Sequence, residues 1–316
     1  MHNKKVLLLM NTIIGLLLLP IVFCGCGQKQ AVGTIKFSQG AVLNESVKTD
    51  DGSERPLRIV VSTVMSPNVT VKDWRAFAEY IGGQLGRSTV LLQRKTYEEV
   101  NLLLANGDAD ISFMSTGAYC SYRGREKLDV AAMVVYQHEK MYNSYLIIRT
   151  DNKEIYSLAD MRGKSIAFSD VLSYSGHMIV VKELAEKYQL MPGNYFNRYI
   201  YTNSHDKSLW AVRDRVVDGA AVDSLVYDQI QEYHPEMLGE LKIVQVMGPI
   251  PIGPIVVRSD LPEQQKLKLR QVLLHMHEDR AMAASLRRIM IDRFAEPEPE
   301  LYEPYKNIYD RMTIDL

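Results

Sequence analysis

Cysteine is scarce in this chain: three among 316 residues, two of them at Cys24 and Cys26. Beyond that pair only Cys120 remains, which excludes a disulfide framework, a CxxC redox pair and a cysteine-built metal site in the body of the protein. Alone, Cys120 reads as a small buried residue. An excess of either charge is missing too. The formal net charge is −1, and near −3 once Lys4 and Lys5 are set aside, so the basic face that nucleic acid requires is absent. No Gly-x-Ser-x-Gly elbow occurs, and no apolar run after Phe23 is long enough to span a bilayer. His275 and His277 lie two apart on an expected helix, face different sides and make a poor metal pair. Neither a metal nor a cofactor is expected.

What is present begins with Lys4-Lys5 and an apolar run from Val6 to Phe23, a basic n-region and an h-region. Phe23-Cys24-Gly25-Cys26 follows, and a small residue before Cys at that place resembles a bacterial lipobox with Cys26 as the lipidated residue. Cys24 is the second candidate, and an uncleaved N-terminal anchor is the alternative. Each places the rest of the chain outside the cytoplasmic membrane. The expected partition is a signal peptide over 1–25 and a polar, Gly- and Asp-containing tether over 26–56.

From Leu57 on, strand and helix patterns alternate. Leu57-Arg58-Ile59-Val60-Val61 is a short apolar strand, and Trp74, Phe77, Ala78 and Ile81 share one face of a helix expected over 71–83. Further units place strands at 89–92, 109–114, 130–136 and 145–149, with a helix over 97–105. A second series holds strands at 164–168, 198–201 and 220–223, helices over 176–189 and 207–217, return strands at 241–246 and 255–258, and helices filling 262–292. Such repetition predicts largely parallel sheet flanked by helices. The return of the chain near residue 247 predicts two lobes, one from 57–147 plus 250–316 and one from 148–249, hinged near 146–150 and 246–250. Glu296-Pro297-Glu298-Pro299-Glu300 reads as a stiff solvated linker.

Four hydroxyl-rich turns each follow a strand and precede a helix: Ser62-Thr63, Ser115-Thr116, Ser173 to Ser175, and Asn203 to His205. Ligands of open α/β sheets bind beyond the carboxyl ends of strands, so these turns converge on one cleft. A helix start offers unpaired N–H groups and partial positive charge, which suits an anion. Ser173 or Ser175 caps such a helix, and Gly176 lets backbone approach a ligand closely.

The wording of these turns resembles a known family. Asp170-Val171-Leu172-Ser173-Tyr174-Ser175-Gly176 is similar to the Asp-Pro-x-Ser-Thr-Ser-Gly turn of the periplasmic phosphonate-, phosphite- and phosphate-binding proteins of ABC importers. Leu158-Ala159-Asp160-Met161-Arg162-Gly163-Lys164 looks like the lead-in of that family, and Ser204-His205-Asp206 like its Gly/Ser-His-Asp/Glu turn. Asp218-Gly219-Ala220-Ala221-Val222-Asp223-Ser224 and Pro249-Ile250-Pro251-Ile252-Gly253-Pro254 complete the set, in order, over residues 57–300.

The resemblance implies an α/β chain with the two-lobed type II periplasmic-binding-protein fold, each lobe a mixed, mostly parallel sheet flanked by helices. It implies a lipid-anchored binding protein that captures a small phosphorus oxyanion and delivers it to an ABC permease and its ATPase. Ser173, Tyr174, Ser175 and His205 are then oxyanion contacts, with Tyr97 and Tyr142 lining the cleft. Gly176, Asp223, Thr63, Ser115 and Thr116 complete the candidate set. Two positions depart from the family pattern. Tyr174 stands in place of Thr, and Gly253 occupies a loop where aminoalkylphosphonate binders can carry an acid, which disfavours an ammonium-bearing ligand. Hydrogen bonds to a charged group contribute roughly 1.5–3 kcal/mol each. Four to six neutral donors therefore reach the ~8 kcal/mol of micromolar binding without a lysine or arginine. His205, neutral or charged with pH, is expected to make affinity fall as pH rises.

Two other roles fit parts of the pattern. Ser173 or Ser175 with His205 and Asp223 could form a hydrolytic triad, but the nucleophile elbow is missing and a capping Ser has its hydroxyl occupied, so no enzyme is expected. The same lobes could report a ligand to a two-component signalling partner, or take a different oxyanion.

Overall fold

The alternation of strand and helix starts at Leu57 in a computed structural model that describes residues 55–306 and residue 308. The signal peptide, the lipobox with Cys24 and Cys26, and almost all of the tether lie outside the described residues. The chain forms β1 (Leu57–Ser62), α1 (Pro67–Leu85), β2 (Thr89–Arg94), α2 (Tyr97–Ala105), β3 (Ile111–Phe113) and α3 (Thr116–Ser121). Next come β4 (Leu128–Val135), β5 (Met141–Arg149) and β6 (Ser165–Phe168), then one π-helical turn, Tyr174–Met178, leading into α4 (Ile179–Tyr188). It continues through α5 (Pro192–Tyr195), β7 (Arg198–Tyr201), α6 (His205–Arg213), β8 (Gly219–Asp223), α7 (Ser224–Tyr233) and β9 (Leu241–Pro251). The last elements are β10 (Ile255–Arg258), α8 (Glu263–His275), α9 (Arg280–Arg288) and β11 (Arg293–Ala295).

Among the described residues the strands form two sheets within one compact unit, ordered β11-β4-β10-β3-β1-β2 and β7-β6-β8-β5-β9. Parallel pairing joins β1 to β2 and β3, and β6 to β7 and β8. Antiparallel pairing takes a larger share than expected. The strands that return the chain, β4, β5, β9, β10 and β11, run against their neighbours.

Local sequence explains the individual elements. Ile59, Val60 and Val61 are fully buried, as a central strand covered on both faces requires. Trp74, Phe77, Ala78 and Ile81 bury the inner face of α1, and the Trp74 ring lies 5.3 Å from that of Phe113. A capping box of Thr96 and Glu99 starts α2, and Gly86, at φ +68°, ends α1.

The chain crosses between sheets at residues 136–140 and 252–254. The crossings expected near 146–150 and 246–250 fall inside β5 and β9. Those strands stay paired through Tyr142↔Ile250 and Met141↔Pro251, so both belong whole to the second sheet. The acidic proline stretch is not a free linker. Glu298 pairs with Lys140 of one crossing, the buried Tyr302 donates its hydroxyl to the Ile252 carbonyl of the other, and Tyr305 donates to the Pro249 carbonyl at 3.0 Å.

Candidate ligand-binding cleft

Carboxyl ends of strands from both sheets meet at one place. Beyond β1 lies Val64, beyond β3 Met114 to Thr116, beyond β6 Ser169 to Ser175, and β8 ends in Asp223. Backbone hydrogen bonds join the halves there. His205 N–H donates to the Val64 carbonyl at 3.0 Å, Ser66 N–H to Asp206 Oδ2 at 3.2 Å and Tyr97 N–H to Asp170 Oδ2 at 3.1 Å. Two aspartates of the second half thus accept from the starts of α1 and α2 in the first. Between the halves sits a cavity of about 30 Å³ lined by Tyr97, Ser115, Thr116, Tyr142, Ser173, Ser175, His205 and Asp223.

Three of the four polar turns therefore converge as expected, and the first contributes Val64 instead of Thr63. Thr63, Tyr174 and Gly176 do not line the cavity. Thr63 Oγ1 donates to the Arg94 carbonyl at 2.9 Å. The Tyr174 ring turns away and packs edge-on against Tyr305, with centroids 5.0 Å apart. Gly176 lies behind the wall, where a Cβ would come within 2.0 Å of Ser169 Oγ and 2.7 Å of His205 Cε1. Its N–H donates to Ser173 Oγ at 3.0 Å.

His205 is fully buried, and its Nδ1 accepts the Asp223 backbone N–H at 3.0 Å. The ring proton therefore sits on Nε2, which faces Ser169 Oγ at 3.3 Å and Ser173 Oγ at 3.4 Å. Burial pulls the imidazole down to about 3, so it stays neutral through the physiological range. This corrects the expectation that His205 titration makes affinity fall with pH. Ser173 Oγ accepts from both the Gly176 N–H and the His205 Nε2–H, which leaves its own proton to donate into the cavity. Ser175 Oγ is buried without a hydrogen-bond partner of good geometry, an unmet donor in the same wall. Ser144 Oγ, on β5, fixes this turn from behind by donating to the Ser175 carbonyl at 2.6 Å.

The remaining polar groups differ in what they offer. Thr116 Oγ1 spends its proton on the Pro251 carbonyl at 2.6 Å and faces the cavity as an acceptor, whereas Ser115 Oγ accepts from Ala118 N–H and can donate onward. Burial raises the phenols of Tyr97 and Tyr142, with Asp170 and Asp223 adding to the first and Asp223 to the second, so both remain protonated donors. Burial also pushes the Asp223 carboxyl up to about 7, against the opposing backbone N–H groups of Leu225 and Val226.

Sequence reading missed the apolar part of the lining: Val64, Phe113, Met114, Leu225, Ile252, Ile289 and Met290, with Gly253 beside them. Ile289 and Met290 follow α9, and Met290 takes the left-handed conformation at φ +61°. Nothing in their local sequence marks them, because distant chain folds back to place them. Among the described residues no group of His, Cys, Asp and Glu is arranged to hold a metal ion.

The family model for the periplasmic phosphonate substrate-binding protein of ABC transporters matches residues 59–302. The chain belongs to this family. It is thus a substrate-binding protein of the transport class, with two mixed sheets in the type II periplasmic-binding-protein arrangement. Solved structures agree on the fold. A binding protein component of an ABC phosphonate transporter from Pseudomonas aeruginosa is 21% identical, with TM-score 0.75, covering 83% of this chain and 89% of that one. PhnD1 from Prochlorococcus marinus, in complex with methylphosphonate, is 16% identical with TM-score 0.73, covering 81% and 98%. A Xanthomonas citri protein bound to ATP is 20% identical with TM-score 0.65, covering 80% and 98%.

Proposed function

We propose that this protein closes its two halves over a small phosphorus oxyanion, with a short alkylphosphonate such as methylphosphonate, or phosphite or phosphate, as the ligand. Ser173, Ser175, Ser115, Tyr97 and Tyr142 donate to the oxygens, and His205 acts through Ser173. The observation that carries this reading is the small cavity, about 30 Å³, whose buried hydroxyl donors lie opposite apolar side chains. Drug-sized ligands occupy roughly 300–1,000 Å³, so nucleotides and amino acids are disfavoured in this closed arrangement. Hinge motion at 136–140 and 252–254 opens the cleft. An acyl chain on Cys26 holds the protein beside an ABC permease, to which it delivers the ligand.

Thermal shift with methylphosphonate, phosphite, phosphate, aminoethylphosphonate, sulfate and arsenate tests the ligand class. Stabilisation by the first three is expected, and no shift with any phosphorus oxyanion would overturn it. Cys26→Ala should release the protein from the membrane fraction.

A further inference from the structure

Tyr174 belongs to the polar turn but does not line the cavity, and its side chain is nonetheless almost fully buried. Its cover is Tyr305, whose ring stands at 79° to it with centroids 5.0 Å apart, an edge-to-face geometry that aromatic pairs favour. Threonine, which the family pattern has at this place in the turn, is too short to reach that ring. Tyr305 itself lies past residue 302, where the family match ends. Both partners therefore belong to this chain and not to the general pattern. The pair also spans the two halves. Tyr302 is anchored in the first half, edge-on to Tyr119 of α3 at 5.0 Å and clustered with Cys120, Val130 and Met133. Lys306 lies over the same Tyr119 ring, 5.8 Å from its centroid. Between these two anchors Tyr305 reaches the other way. Its hydroxyl donates to the Pro249 carbonyl of β9 at 3.0 Å and its ring meets Tyr174, both in the second half. The turn is seated on α3 as well, because Gly117 lies too close to the Leu172 carbonyl and the Tyr174 N–H to admit a Cβ.

We propose that Tyr305 is a clasp on the closed cleft, gripping Tyr174 and so holding the Ser173–Ser175 turn where its hydroxyls face the ligand. This rests on reading the cleft as one that closes over an oxyanion. Tyr305 lines no part of the cavity and is a positioning residue. Hinge opening carries the turn away from α3, and with it Tyr174 away from a Tyr305 that is anchored in the first half. A contact made in the closed form and lost in the open one raises the affinity of every ligand alike, since apparent affinity scales with the closed fraction. The clasp therefore tightens binding without choosing among ligands, and it slows release more than it speeds capture.

Calorimetry and stopped-flow kinetics of the full chain test this, with each of methylphosphonate, phosphite and phosphate that binds the wild type. Tyr305→Ala should weaken all of them by one common factor, about fivefold, with the loss in the dissociation rate. Tyr305→Phe keeps the ring and loses only the bond to Pro249, so it should retain most of the affinity. Tyr174→Thr should cost about as much as Tyr305→Ala, and the double variant no more than either alone. Tyr305 is only half-buried, so its variants should fold even where Tyr174→Thr does not. Unchanged affinity in Tyr305→Ala, losses that differ between ligands, a Tyr305→Phe as weak as Tyr305→Ala, or additive losses in the double variant would each overturn the inference alone. A wild-type protein that binds no phosphorus oxyanion would overturn the oxyanion reading as well.

Discussion

The two walls of the cleft are built from different chemistry. The second-sheet wall holds Ser173, Ser175, His205, Asp223 and Tyr142, and the first-sheet wall is mostly apolar, with Val64, Phe113, Met114, Ile289 and Met290 around Tyr97, Ser115 and Thr116. The contrast separates two tasks. In the proposed function the second-sheet wall supplies most of the donors to the oxygens, and the first-sheet wall adds Tyr97 and Ser115 but otherwise removes water and accommodates a substituent on phosphorus that cannot hydrogen-bond. A low-dielectric partner wall also strengthens each hydrogen bond made across from it.

Disabling the polar wall should have the largest effect. Ser175→Ala and His205→Ala are each expected to weaken methylphosphonate binding about 10- to 100-fold, measured by calorimetry, because each removes or misorients a hydrogen bond to a charged group. If both leave affinity unchanged, the oxygens are held elsewhere. Acid should expose the same asymmetry in stability. The depressed histidines, His205 at about 3 and His177 at about 4, both lie in the second half. Their contribution is full above the unfolded value near 6.5 and is lost as pH falls toward those values. Asp223, raised to about 7, opposes this, because its buried charge is relieved as pH falls. Asp170 and Asp228, also raised by burial, oppose it too, so the histidine part is read as a difference between proteins: His177→Asn, which removes one depressed imidazole, should make the fall in stability between about pH 6.5 and 4 shallower than in the wild type. Chemical denaturation across that range checks it, and hydrogen exchange should show the second half opening first.

Closure can be broken without touching either wall. A Cβ on Gly117 would meet the Leu172 carbonyl oxygen at 2.1 Å, so Gly117→Ala should wedge the halves apart. About tenfold weaker binding is expected, with a radius of gyration by small-angle scattering that no longer shrinks on ligand addition. Removing one interlobe acceptor should do less. Asp206→Ala leaves the Ser66 N–H unpaired on closure, at a cost of about 1 kcal/mol, or roughly fivefold in affinity. The apolar wall gives the smallest change. Ile289→Ala should reduce methylphosphonate affinity a few-fold while leaving phosphate unaffected, since only the methyl group uses that surface. Equal losses for both ligands would show that the walls do not divide the work.

Much of the polar wall was legible before any coordinates. Ser115, Thr116, Ser173, Ser175 and Asp223 sit where a strand ends and a helix begins, and His205 opens α6; such boundaries are written in local periodicity and capping chemistry. Tyr174 marks the limit of such local signals. Its place in the turn was legible, but the ring direction depends on Tyr305, 131 positions later.

The amino-acid sequence by itself determined the alternation of strand and helix, the polar turns at strand ends, the near-balance of charge and the scarcity of cysteine. These follow from spacing over a few residues and from composition. Tertiary structure alone decided the rest. It set the His205 tautomer through the Asp223 N–H, left the Ser173 proton facing the cavity, placed Ile289 and Met290 opposite, and moved the crossings to 136–140 and 252–254. Each depends on contacts between segments far apart in the chain, where no local pattern records the partner.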